Sequence, residues 1–365
     1  MCDHRRFLIG AVLALVAVAA SGLLWPGQAQ ENQAAGMITP AAQDAIDAGL
    51  EYLAKRQSPN GGFGTGQYAD NVALTSLAGL AFMAGGNQPD RGRYGKNVTA
   101  AVRNILSHES RNPAGFLNNP GRGALHGPMY GHGFAALFLA EAHGMVNDPQ
   151  LREQLRGTLK RSTDLIINTQ NQQGGWRYQP VRSDADISVT ICQIMALRAA
   201  RNAGITVPKS VADKCIDYVK ACQDIGGTGG FRYQQFGGPA GFARTAAGLC
   251  ALYSAGIYEG REIESGLKYL QQWQPGRRPA GFLGNFGEAQ IHYYYGHYYA
   301  AQAMWIAGGN YWRQWYPAIR DELLNAGSHN RNDGSWTGQI CPHYCTAMAL
   351  IILQIPNNYL PILQR

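Results

Sequence analysis

Residues 165–176 read LIINTQNQQGGW, and this stretch decides the fold because its pattern returns along the whole chain. In each copy an amphipathic segment leads into a turn where glycine stands beside an aromatic residue. The aromatic residues of the six copies, spaced by 51 to 60 residues, are Phe63, Phe116, Trp176, Phe231, Phe282 and Trp336. A fixed period of this length is typical of proteins built from stacked supersecondary units.

Each turn separates two kinds of helical segment. The segments before it carry apolar residues at i, i+3, i+4 and i+7, which indicates amphipathic helices; examples are residues 45–56, 155–170, 210–223 and 263–274. The segments after it are apolar on all sides and must be buried; they are residues 72–84, 134–142, 189–200, 245–255, 298–307 and 346–353. Six outer helices around six inner helices predict an all-α fold, an (α/α)6 toroid (barrel) of six helical hairpin repeats.

One toroid accounts for most of the chain. We expect a single domain over residues 40–356, followed by a short C-terminal tail at residues 357–365. The 365 residues carry a net charge of +7, only 15% of them are charged, and no five like charges are adjacent. A nucleic-acid-binding protein would show a basic stripe or tail, so no nucleic-acid partner is expected.

The N-terminus has the pattern of a targeting segment. Arg5 and Arg6 precede an apolar run from Phe7 to Trp25, and small residues follow, with Ala29 as the expected cleavage position. Residues 1–29 are therefore interpreted as a signal peptide of an exported protein, periplasmic or secreted. An uncleaved membrane anchor is the alternative, because the run approaches the length that spans a bilayer. Membrane contact is expected only through this segment.

Six cysteines remain once residues 1–29 are removed, and they are not spaced like a disulfide framework. Buried thiols are the expected state for most of them. Cys341 and Cys345 are the one pair close in sequence, and for them a disulfide remains an alternative to two free thiols.

The turns resemble a known motif. Tyr52, Gln57, Gly61 and Phe63 follow the order aromatic, Gln, Gly, aromatic, and residues 165–176 repeat it with leucine in the first place. This resembles the QW motif of the squalene–hopene cyclase and terpene cyclase family, whose toroid is shared by protein prenyltransferase β subunits. The resemblance implies a hydrophobic, possibly isoprenoid, ligand in a central cavity. Within the motif, glycine permits the tight turn and glutamine can bind backbone groups, so its residues are interpreted as structural.

The starts of the inner helices should ring one mouth of the central cavity. Aligning these helices gives one polar position in most units, and the resulting ligand-binding candidates are His132, Ser188, Arg244, Tyr295, His297 and Cys345. The tripeptide Tyr-Gly-His occurs twice among them, at residues 130–132 and 295–297. We expect this ring to contact the ligand.

The catalytic signatures of the resembled families are degraded here. Cyclases place a catalytic acid at the position that the ungapped alignment assigns to Ser188. The only candidate acid nearby is Asp186, two residues earlier. The preferred interpretation of Asp186 is a helix cap. Prenyltransferases bind zinc at positions matched by Tyr295, His297 and Cys345, of which only His297 and Cys345 suit the metal. No cofactor is expected, and zinc remains the alternative.

Two functions follow. The first is binding of a hydrophobic ligand in the cavity of an exported repeat protein. The second is an enzyme that uses the Tyr, His, Arg and Cys side chains of the rim, either terpene cyclase- or prenyltransferase-like or polysaccharide lyase-like. Lyases need a base and a charge neutraliser, which Tyr295, His297 and Arg244 could supply. A saccharide is therefore the alternative partner to an isoprenoid.

Overall fold

The predicted (α/α)6 toroid is confirmed by the computed structural model, which describes residues 34–119, 127–276 and 292–364. Within those residues twelve helices alternate between an outer and an inner ring. The outer helices are α1 (Pro40–Arg56), α3 (Gly95–Ser107), α5 (Pro149–Thr169), α7 (Lys209–Ala221), α9 (Arg261–Gln271) and α11 (Gly309–Asn325). The inner helices are α2 (Val72–Ala84), α4 (Pro128–His143), α6 (Ile187–Asn202), α8 (Phe242–Ala255), α10 (Tyr293–Ala307) and α12 (Pro342–Gln354).

The inner helices form a closed ring. Each of them packs against the next one along the chain, and α12 packs against α2. Two of the turns between outer and inner helices carry short antiparallel hairpins, β1 (Glu109–Arg111) with β2 (Ala114–Leu117) and β3 (His329–Asn330) with β4 (Ser335–Trp336). Within the described residues, the turns between outer and inner helices lie at one end of the toroid, beside the first turns of the inner helices.

The inner helices begin earlier than the sequence pattern predicts. Only α2 has the expected bounds, whereas α4 begins at Pro128 instead of residue 134 and α10 at Tyr293 instead of residue 298. The reason is that the first turns of these helices contain tyrosine, histidine and glycine, which a search for uniformly apolar segments leaves out. The polar starts belong to the helices and bring their side chains to the centre of the ring.

A glutamine amide joins three of the repeats to the repeat that follows. Gln170 Nε2 donates 2.9 Å hydrogen bonds both to the carbonyl of Gly174 in its own turn and to the carbonyl of Val211 in α7, the next outer helix. Gln57 and Gln223 make the same pair of bonds in their units, at 2.8 to 3.0 Å. The glutamine of the repeated motif therefore fixes its own turn and the neighbouring repeat together.

Glycine is required in the same turns by a close backbone contact. Gly174 has a φ of +99°, and a Cβ atom there would lie 2.0 Å from the carbonyl oxygen of Lys214 in α7. Gly334 in the last turn stands against Ala48 of α1 in the same way and so closes the ring. The other glycines with a positive φ and a next-helix contact are Gly61, Gly115 and Gly229.

The far end of the toroid is covered by the chain after α12. Within residues 355–364, the backbone N–H of Ile362 donates to Glu141 Oε2 at 3.2 Å, and the carbonyl of Leu363 accepts from Trp305 Nε1 at 3.1 Å. Ile362 and Leu363 are buried, and their partners come from α4 and α10 on opposite parts of the ring. This segment therefore packs across the carboxyl ends of the inner helices.

The segment interpreted as a signal peptide, residues 1–29, lies outside the described residues, as does the Phe282 turn. None of the helices in the described ranges is long and apolar enough to cross a membrane.

The turn glycines are required both by a close contact with the next helix and by a positive φ, and the contributions of these two features to stability can be measured separately. Gly174→Ala and Gly256→Ala both place alanine at a φ near +100°, but the Cβ at residue 256 meets no atom within 4 Å. We expect Gly256→Ala to lower the free energy of unfolding by about 1–2 kcal/mol. Gly174→Ala should cost roughly 1–3 kcal/mol more, because of overpacking against α7. If urea denaturation gave the same loss in free energy of unfolding for both variants, the contact between residue 174 and Lys214 would not be tight.

Candidate functional site

The inner helices meet at a mouth, defined here as one partly exposed residue from the first turn of each. These mouth residues are Ala73, Tyr130, Ser188, Arg244, Tyr295 and Tyr344. Pro128, Tyr293 and Pro342 in the same turns are also partly exposed. Three of the six positions named from the sequence, Ser188, Arg244 and Tyr295, are among the mouth residues. Tyr130 and Tyr344 were missed. The recurrence of Tyr-Gly-His was the available signal for Tyr130, since it makes that residue the counterpart of Tyr295.

A threonine one or two residues beyond the mouth position ties the inner helix to its turn in four of the units. Thr190 Oγ1 accepts from the backbone N–H of Trp176 at 3.1 Å, and the same bond joins Thr75 to Phe63, Thr245 to Phe231 and Thr346 to Trp336, at 2.9 to 3.0 Å. In the second unit His132 takes this place, and its Nδ1 accepts from the N–H of Leu117 at 3.2 Å. His132 therefore bonds to the turn instead of facing the mouth.

His297 occupies the corresponding place in the fifth unit. Its ring packs against Phe242 and Tyr293, with centroid distances of 4.8 and 4.6 Å. The turn that would face it lies in residues 277–291, outside the described residues. Burial lowers the pKa of His297 to about 3 and that of His132 to about 4, so both imidazoles are neutral at physiological pH.

Cys345 is next to the mouth residue Tyr344 but is itself buried. Burial raises the pKa of its thiol to about 12. Cys341 and Cys345 are both free thiols in the structure, not a disulfide. The described part of the chain contains no group of three His, Cys, Asp or Glu side chains that could hold a metal ion.

Asp186 caps α6. Its Oδ1 accepts from the backbone N–H of Val189 at 2.9 Å, and its Oδ2 lies 3.5 Å from Arg177 Nη1. Desolvation raises the pKa of this fully buried carboxyl to about 6, against the opposing effect of the Val189 N–H and Arg177. The structure thus places Asp186 behind the mouth, where it holds the helix start and a guanidinium.

Two tyrosines from neighbouring turns extend the mouth outward. The hydroxyls of Tyr178 and Tyr233 are hydrogen-bonded to each other, and the ring of Tyr178 lies 6.1 Å from that of Tyr130. The Arg177 guanidinium lies over both turn rings, 4.5 Å from the centroid of Tyr178 and 5.4 Å from that of Tyr233. Cation–π contact therefore holds these rings in fixed positions beside the mouth.

A cavity of about 420 Å³ adjoins the mouth between α10 and the turn before α12. Tyr295 and Tyr344 line both, and Glu322 of α11 supplies a carboxylate. Glu322 Oε1 accepts from the hydroxyl of Tyr293 at 2.7 Å, while the hydroxyl of Tyr295 donates to the carbonyl of Ser188 at 3.0 Å. The volume lies in the range of ligand pockets. Glu322 could not be identified from the sequence, because an acidic residue on an outer amphipathic helix looks like an ordinary solvated side chain.

The chain matches no protein-family model and no curated protein. Solved structures share its fold. A D-mannose isomerase aligns with a TM-score of 0.59 at 14% identity, covering 87% of this chain and 98% of that one. A cellobiose 2-epimerase from Bacillus thermoamylovorans B4167 aligns with a TM-score of 0.60 at 11% identity, covering 86% and 98%. An alpha-1,6-mannanase of Salegentibacter sp. HEL1_6, an inactive variant in complex with alpha-1,6-mannotriose, aligns with a TM-score of 0.58 at 10% identity, covering 87% and 99%.

These matches overturn the resemblance drawn from the turn motif. The matched toroids are enzymes named for sugars, not terpene cyclases or prenyltransferases, so that family assignment was wrong. The Gln–Gly–aromatic turn reflects packing between repeats, which explains why it suggested the right fold and the wrong family. Identities of 10 to 14% show the fold alone.

The place of His132 predicts a pH effect on stability. Its pKa is about 4 in the folded chain and 6.5 in an unfolded one, so the unfolded state takes up the proton first as pH falls. The stabilisation by neutral His132 is complete above pH 6.5 and is lost as pH falls toward 4. Wild type and His132→Thr should therefore converge in free energy of unfolding over this window. Curves that stay parallel would contradict the burial of a neutral imidazole.

Proposed function

We propose that this protein is an enzyme that binds a saccharide at the mouth and in the adjoining cavity. The observation that carries the proposal is the set of partly exposed tyrosine, serine and arginine side chains in the first turns of the inner helices, next to a cavity of about 420 Å³. Such a mixture of aromatic surface with a few polar groups is typical of small-molecule sites. Three toroids of similar fold that are named for sugars support the ligand class.

The chemistry of the mouth suits hydroxyl recognition better than an apolar ligand. Tyrosine rings offer an apolar face together with a polar tip. Burial raises the pKa of Tyr130 and Tyr295 well above the ordinary value, so both phenols stay protonated. The Tyr295 hydroxyl donates to the carbonyl of Ser188, and its oxygen can accept a further hydrogen bond. Arg244 adds a guanidinium in the first turn of α8. These polar groups favour a ligand that carries hydroxyls over a polyene or isoprenoid chain.

Glu322 is the group we propose for proton transfer to or from the bound sugar. It lines the cavity, and its two carboxylate oxygens are held by the hydroxyl of Tyr293 and by the backbone N–H of Gly276, at 2.7 and 2.9 Å. A carboxylate fixed in this way keeps its lone pairs directed while remaining within reach of a ligand. A lyase-like use of His297 as the base is disfavoured, because that imidazole is buried behind the mouth.

Binding at the mouth can be tested by truncating its side chains. We expect wild type to bind at least one of D-mannose, cellobiose or alpha-1,6-mannotriose in isothermal titration calorimetry. Arg244→Ala and Tyr295→Ala should each weaken that binding about tenfold or more, as desolvated Arg and Tyr contacts generally do. Arg313→Ala, on the exposed side of α11, serves as the matched control and should bind like wild type. Equal affinities in all four proteins would place the ligand elsewhere.

We also propose that the protein is exported. The support is the Arg5-Arg6 pair before the apolar run from Phe7 to Trp25. Cell fractionation with N-terminal sequencing should find the protein outside the cytoplasm, beginning after Ala29 if the segment is cleaved. Recovery of the intact chain from the soluble cytoplasmic fraction would contradict export.

A further inference from the structure

Exposed large hydrophobic side chains are concentrated at the mouth end of the toroid. Among the described residues four such side chains are exposed: Val181, Phe236, Ile340 and Tyr359. Val181, Phe236 and Ile340 lie in turns that precede inner helices, whereas Tyr359 lies in the segment that covers the far end. Phe236 is the most exposed of the four, at 93%. Single exposed apolar residues are common, so the exposure of Phe236 suggests a function only if the surrounding structure holds the residue in place.

The backbone at Phe236 is held in place by two contacts. Gln234 and Gly237 form an antiparallel bridge that places Phe236 at the tip of a two-residue turn. Gln234 Nε2 also donates to the carbonyl of Ala185 at 2.9 Å, which ties this tip to the preceding turn of the toroid. The backbone around Phe236 is thus held on both sides while its ring stays in solvent.

The tip lies near the outer end of a row of aromatic rings that begins at the mouth. Tyr130 lies 6.1 Å from Tyr178, whose hydroxyl bonds to that of Tyr233, and Arg177 fixes both turn rings. Phe236 follows Tyr233 by three residues, so its Cα lies within about 10 Å of that of Tyr233. Together with Tyr130, Tyr178 and Tyr233, it offers aromatic surface for more than one sugar unit.

The charge along this row fits a neutral ligand. Arg177 is paired with both Asp184 and Asp186, at 3.4 and 3.5 Å. Gln234 adds a second contact to Asp184 at 3.3 Å. Each of these charged side chains is thus paired within the protein. The exposed Phe236 ring adds an apolar face, which matches the apolar faces of neutral sugar rings.

We propose that Phe236 is a distal binding residue, which stacks on a sugar unit of an oligosaccharide whose other end occupies the mouth. This inference rests on the proposed saccharide function and narrows its ligand to a chain of several units. A monosaccharide at the mouth would not reach Phe236, so affinity should rise with chain length until the tip is covered. Val181, on the turn to which the tip is tied, lies on the same side of the rim.

The test is a chain-length series measured by isothermal titration calorimetry. Alpha-1,6-linked mannose oligosaccharides and beta-1,4-linked glucose oligosaccharides, from monosaccharide to hexasaccharide, are titrated into wild type, Phe236→Ala and Phe236→Trp. We expect Phe236→Ala to bind the shortest ligands like wild type but to lose the gain from longer chains, about 3- to 10-fold. Phe236→Trp should keep that gain. Because the side chain is exposed, the melting temperature of both variants should stay unchanged.

Tyr359→Ala is the matched control, an exposed aromatic residue at the opposite end, and should bind every ligand like wild type. Wild-type affinity of Phe236→Ala for long chains would overturn the distal site while leaving the mouth intact. Saccharide binding that does not depend on length would overturn it as well. If wild type binds no saccharide of any length, the proposed function itself fails, and the distal site fails with it.

Discussion

The glutamine side chain that bridges two repeats is the interaction on which the toroid depends. Gln170 donates both amide hydrogens to backbone carbonyls, one in its own turn and one in the next outer helix. Losing a buried partner of this kind costs about 1–3 kcal/mol, because the carbonyls left behind stay desolvated. Since Gln57 and Gln223 repeat the arrangement, the angle between successive repeats is fixed by the same few atoms each time.

In the third unit the bridge also sets the starting point of the inner helix. Once Gly174 is held against α7, the aromatic residue after it presents its backbone N–H to Thr190, and α6 begins at a fixed distance from the turn. The first turns of the inner helices therefore arrive at one level, and the mouth is a consequence of scaffold geometry. On the far side, residues 355–364 cover the carboxyl ends of the helices, so the two ends of the toroid differ.

Local patterns were sufficient to predict the fold, and long-range contacts were needed for the site. Helical periodicity, the glycine turns and the repeat length are all readable within one unit. The bond from Leu117 to His132 joins residues that no periodicity relates, so the sequence could not distinguish a histidine that faces the mouth from one that faces the turn. Glu322 was hidden for a similar reason, since only the folded chain places the end of an outer helix beside a cavity.

The Tyr-Gly-His tripeptide shows how closely the site and the scaffold are coupled. Residues two apart on a helix point about 200° away from each other, so Tyr295 faces the mouth while His297 faces back toward the outer ring. Gly296 between them faces α8, where a Cβ would lie 2.6 Å from the ring of Phe242. Tyr295 thus contacts Ser188, while Gly296 and His297 both pack against Phe242. A shift of one residue in this helix would replace the tyrosine at the mouth with glycine and place an aromatic ring in the packed interface, so the mouth can change its chemistry only by substitution at a fixed register.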